Sequence, residues 1–85
     1  MLYHDQVSPG FTIRTFSTTV DASELVWHRD EHDREITPLG NESWSFQLEN
    51  ELPTRFDRTL RVPAGIWHRL IKGEGALTVK IIEKR

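Results

Sequence analysis

The tripeptide Trp-His-Arg occurs twice in the chain, as Trp27-His28-Arg29 and Trp67-His68-Arg69, and its two histidines are the residues best suited to chemistry. The first copy runs into a cluster of ionisable residues, Asp30-Glu31-His32-Asp33-Arg34-Glu35, and the second follows a turn, Val62-Pro63-Ala64-Gly65. His28 with Asp30 two residues on, joined by a distant His68, is the donor pattern of a facial two-histidine, one-carboxylate site. Neutral imidazoles and one carboxylate hold a divalent ion from one side and leave other positions open to water or substrate. Glu35, His32 and Asp33 are reserve ligands, Glu35 on condition that the strand after the turn returns beside the first. The competing reading is an exposed turn with two hydrogen-bonded structural histidines.

The elements that must position these residues read as short strands. Side chains at i and i+2 of a strand share a face. Leu25 to Asp30 as a strand puts Val26, His28 and Asp30 together, and Trp67 to Ile71 puts Ile66, His68 and Leu70 together. Both histidines are thus in phase with aliphatic residues, while Trp27, Arg29, Trp67 and Arg69 face away. Further strand candidates are Phe11 to Thr15, Arg34 to Leu39, Trp44 to Leu48, Thr59 to Val62 and Ala76 to Ile82. Pro38 marks the third of the seven as an edge or a bulge. Gly40-Asn41 and Gly73-Glu74-Gly75 are turn signals, the latter a hairpin. Val20 to Glu24 suits one helical turn capped by Asp21 or Ser23. About seven short strands predict an all-β sandwich or barrel.

The composition bounds the function. The 85 residues make one domain, residues 1–85, near the lower limit of unassisted folding. With no cysteine there is neither disulfide nor thiolate site, which suits a cytoplasmic, reducing setting. The start Met1-Leu2-Tyr3-His4-Asp5 lacks the marks of a signal peptide, and no apolar run reaches membrane-spanning length. A net charge of -2, with both signs dispersed, argues against nucleic acid as a partner.

Val62-Pro63-Ala64-Gly65-Ile66-Trp67-His68 resembles the second motif of the cupin superfamily, in which Pro-x-Gly-x-x-His supplies a metal ligand. His28-Arg29-Asp30 stands where the first motif has His-x-His, with Glu35 or Arg34 near the motif glutamate according to the register taken for Gly40. The tracts around both Trp-His-Arg copies, with Asn50-Glu51-Leu52-Pro53, are also similar to very short cupin-like proteins of tailed phages and marine bacteria. The resemblance implies a double-stranded β-helix of two antiparallel sheets with a ligand site in the barrel mouth. It implies His28 and His68 as ligands, Asp30 in place of the second histidine, and Glu35 as a fourth. The metal it implies is iron, manganese or zinc.

Among the remaining residues, Trp44, Phe46 and Leu48 read as core. Arg34, next to the cluster, is the best anchor for an anionic substrate, whereas Arg14 and Arg61 read as solvated strand residues and His4 as surface. The Trp/Arg face predicts either a homodimer contact or a surface covered by the segment around Tyr3 and Phe11. The function expected is metal-assisted chemistry on a small polar metabolite, or the binding of one without turnover. The rival is a metal-free sandwich that contacts another protein.

Overall fold

The computed structural model describes residues 3–84; Met1, Leu2 and Arg85 lie outside them. Among the described residues the chain forms β1 (His4–Ser8), β2 (Phe11–Phe16), a 3-10 turn (Ala22–Glu24), β3 (Asp33–Pro38), β4 (Ser45–Leu48), β5 (Thr54–Arg55), β6 (Leu60–Val62), β7 (His68–Ile71) and β8 (Leu77–Lys84). These make two antiparallel sheets, ordered β1-β2-β8-β3-β6 and β5-β4-β7. The all-β expectation holds. The single helical turn falls where Asp21 was expected to cap it: the Asp21 carboxylate accepts from the Ser23 N–H at 3.0 Å.

β8 lies at the middle of the larger sheet, between β2 and β3. Its Leu77, Val79 and Ile81 are buried and alternate with half-buried Thr78 and Lys80, the period-two pattern of a strand with one face in the core. Phe46 of the smaller sheet and Trp44, just before β4, share the core with them. Trp44 has no exposed surface, and its indole N–H donates to the Gly75 carbonyl at 3.2 Å, fixing the hairpin that leads into β8. Gly73 begins that hairpin against the Ser43 carbonyl, where a β-carbon would have no room.

Three expectations differ from the structure. Leu25 to Asp30 is not a regular strand; only His28 pairs, as a lone bridge to His68. β3 is an interior strand, flanked by β8 and β6, despite Pro38. Pro38 is its last residue, and the Leu39 N–H carries the ladder on to the Thr78 carbonyl at 2.8 Å. β1 and β5 were not anticipated. The signal for β1 was the Pro9-Gly10 turn, with Gly10 at φ 87°, which folds His4–Ser8 back on β2.

Candidate functional site

β7 pairs with β4 on one side. On the other it meets the segment around His28 through two reciprocal hydrogen bonds, His28 N–H to His68 carbonyl at 3.0 Å and His68 N–H to His28 carbonyl at 2.8 Å. Residues directly opposed in an antiparallel pair point to one face. The two imidazoles therefore stand together on the inner side, ring centroids 4.2 Å apart. The same pairing lays the two Trp-His-Arg copies head to tail, so that each arginine meets the other copy's tryptophan. The Arg69 guanidinium carbon is 4.8 Å from the Trp27 ring centroid and that of Arg29 is 5.1 Å from Trp67. Both tryptophans stay about two-fifths exposed. The segment around Tyr3 and Phe11 does not cover them: Tyr3 packs edge-on against Phe16, and Phe11 lies near the Lys80 ammonium.

His28, Asp30 and His68 offer donor atoms that all lie within 4.8 Å of one another. Two donors on one ion, at bond lengths of about 2.1 Å, stand at most about 4.2 Å apart. A sub-ångström shift of the exposed His28 closes the difference. The tautomers are suitable. His68 Nδ1 lies 2.9 Å from the Ile66 carbonyl and His28 Nδ1 lies 3.2 Å from that of Val26, and a carbonyl can only accept. Each Nδ1 therefore carries the proton, and each Nε2 presents a lone pair. Burial pushes the His68 pKa below its ordinary value, as do the neighbouring His28 and Arg34; the Ile66 carbonyl and Asp30 oppose them. Neutral His68 Nε2 then faces Asp30 Oδ2 at 3.3 Å, acceptor against acceptor, and Asp30 Oδ2 is buried without a hydrogen-bond partner. A separation of 3.3 Å is what two ligands of one cation adopt.

The loop that carries Asp30 is held by the Pro63-Ala64-Gly65 turn. The Gly65 N–H donates to the Asp30 carbonyl at 2.9 Å, and the Ala64 N–H to Asp33 Oδ1 at 2.7 Å. Gly65 sits at φ 77°, a conformation that favours glycine. Asp33, expected as a reserve ligand, is thus a structural clamp. His32 is not part of the cluster. Glu35 is displaced from its expected role: one residue after Arg34 on β3, it takes the opposite face and pairs with Lys84, Oε1 to Nζ 3.4 Å.

The cluster opens into a cavity of about 350 Å³ between the sheets, floored by Phe46, Phe56 and Ile81. Arg34 lines it, with Nη1 3.5 Å from Asp30 Oδ1 and Nη2 3.8 Å from Glu83 Oε1. So does Arg14, expected to be solvated. β2 turns its Thr12-Arg14-Phe16 row inward, and the more apolar Phe11 and Ile13 lie on the other side. The inward arginine is stabilised by a fork on Asp5, at 2.8 and 2.9 Å, and by Tyr3, whose ring centroid is 3.8 Å from its guanidinium carbon. The only sequence signal for this was the phase of Arg14 with Phe16.

The hydrogen bonds from Arg14 hold the Asp5 carboxyl below its ordinary value of 3.8. A depressed folded-state pKa means that the unfolded chain binds more protons in the window between the two values. The pair's contribution is complete above about pH 3.8 and is lost as pH falls through the lower, folded value. Asp5→Asn is therefore expected to lower the melting temperature at pH 7 but not at a pH below the folded value. Thermal melts of both proteins across that range check it.

Two antiparallel sheets with this strand order match cupin-fold structures, and this chain has that fold. It is similar to a cupin domain from Bordetella pertussis Tohama I (TM-score 0.64, 18% identity, 98% of this chain and 92% of that one). It is also similar to a chain described with the DMSP lyases RdDddP and RnDddQII (TM-score 0.76, 13% identity, 98% and 46%). A third likeness is to iron(II) HppE in complex with substrate (TM-score 0.69, 10% identity, 98% and 53%). The chain spans about half the length of the latter two. No protein-family model matches the sequence, and no curated protein matches it significantly. Among the described residues no helix is long and apolar enough to cross a membrane.

Proposed function

We propose that the chain is a small metal-binding cupin in which His28, Asp30 and His68 hold one divalent ion and Arg34 holds a small polar substrate beside it. The observation that carries this reading is the buried, unpartnered Asp30 Oδ2 facing the lone pair of His68 Nε2 at 3.3 Å. Two acceptors in that arrangement repel unless a cation or a proton lies between them, and burial disfavours protonation of His68. Nitrogen and oxygen donors without sulfur suit iron, manganese or zinc. Solved HppE structures with iron(II) and with cobalt(II) support a metal in this fold. Such an ion, when bound at these three residues, would supply Lewis acidity. The chain's own residues do the rest. The Val26 and Ile66 carbonyls fix the imidazole tautomers. Phe46 stacks on His68 at 5.6 Å and keeps water from that side. Arg34 orients the substrate.

The reading takes residues 1–85 as one domain acting in the cytoplasm. The exposed Trp27 and Trp67, each with its arginine, support a homodimer formed through the outer face of the smaller sheet.

Elemental analysis of protein purified without a histidine tag tests the metal centre. About one equivalent of iron, manganese or zinc per chain is expected. Protein that carries no metal and takes up none of the three in calorimetric titration would overturn the proposal.

A further inference from the structure

We propose that the molecule held beside this centre is a small carboxylic acid with an apolar body, its carboxylate taken by Arg34; the inference rests on the metal reading above. Two side-chain atoms of the described residues are buried without a hydrogen-bond partner, Asp30 Oδ2 and Arg34 Nε. Both belong to residues that line the cavity between the sheets, Arg34 also bordering a second hollow beside Gly10 and Glu83, and they are opposite in kind. Asp30 Oδ2 is an acceptor in want of a cation, and Arg34 Nε is a donor in want of an anion. The terminal nitrogens of Arg34 meet carboxylates only at 3.5 and 3.8 Å, lengths of ion pairs rather than hydrogen bonds. An ion on Asp30 draws that carboxylate's charge away from Arg34 and leaves the guanidinium short of a counter-charge. A ligand oxyanion on the Nε edge restores it, in the planar, two-bonded geometry that guanidinium and carboxylate share.

With a divalent ion in place, its two charges and the guanidiniums of Arg14 and Arg34 outweigh the carboxylates that line the cavity, Asp30 and the exposed Glu24, together with Asp5 on Arg14, and this favours an anion over a neutral molecule. Most of the rest of the lining, Leu25, Ile36, Phe46, Leu70 and Val79 among it, is apolar, and about 350 Å³ is at the small end of ligand pockets. A short aliphatic or a single-ring acid fits both constraints.

The test is calorimetry on zinc-loaded protein with butyrate and benzoate against butyramide and benzamide, and with inorganic phosphate. The acids are expected to bind about ten-fold or more tighter than the amides, because the amide leaves the buried guanidinium unmatched. Zinc itself prefers carboxylate, so the deciding comparison is Arg34→Gln, which should lose most of the acid preference while still loading with zinc, at least as tightly as wild type because the guanidinium no longer competes for Asp30. An independent readout needs no variant: the Arg34 Nε–H resonance in nitrogen-15 NMR should shift with benzoate and stay fixed with benzamide. Acids and amides bound equally, an unshifted Nε–H, or phosphate bound more tightly than the acids would overturn the inference. Failure of the metal reading looks different. Wild type would then take up no zinc, while any binding of the acids to the metal-free protein that depends on Arg34 would leave the anion subsite standing.

Discussion

His68→Ala is expected to abolish binding of a divalent ion. Changes in residues that merely orient a metal's ligands cost about 10–100-fold in affinity, and removal of a ligand should exceed that range. His68 is the ligand most constrained by its surroundings: 5% exposed, stacked on Phe46, with Nδ1 committed to the Ile66 carbonyl. No other nitrogen or carboxylate of the described residues joins the cluster to replace it. His28→Ala should have the same consequence with less risk to folding, because His28 is exposed. His4→Ala and Glu35→Gln should leave binding unchanged, since Glu35 is engaged with Lys84 on the opposite face. Protons compete for the His68 lone pair, and burial holds that imidazole below its ordinary value of 6.5, so affinity should decline only as pH falls below that value. Calorimetric titration with zinc at pH 7.5 and pH 5.5 checks all four variants. A His68→Ala protein that binds as wild type does would remove the site.

Trp44→Ala is expected to unfold the protein. Deleting a fully buried tryptophan costs about 3–5 kcal/mol. A core of this size supplies only about 3–5 kcal/mol in total. Trp44 has no exposed surface, packs against Phe16 at a centroid distance of 5.8 Å, and donates to the Gly75 carbonyl. Its loss therefore opens a cavity and frees the hairpin before β8 in one step. The expected result is no cooperative thermal transition above 25 °C by circular dichroism. Trp44→Phe, which keeps most of the volume but not the hydrogen bond, should retain a transition at lower temperature. A well-folded alanine variant would mean that β8 is held by its neighbours β2 and β3 alone.

Whereas His28 is placed by its single bridge to His68 rather than by a strand of its own, the phase of His68 with Leu70 was legible in the sequence, because alternation on a strand is a local property of the backbone. So was the turn at Pro63-Ala64-Gly65, since proline and glycine state their own dihedral angles. The all-β class followed from several such segments together. Other features were not local. The head-to-tail pairing of the two Trp-His-Arg copies brings together residues forty positions apart, and only the crossing of β7 with the His28 segment sets their register. Glu35 was misplaced because its face depends on where β3 lies within the larger sheet, between β8 and β6. Arg14 was misplaced for a related reason. Alternation tells which residues of β2 share a side but not which side is inner. The polar row turns inward here because β1 returns Asp5 alongside it, and a charge can face the interior only where its counter-charge arrives by tertiary pairing.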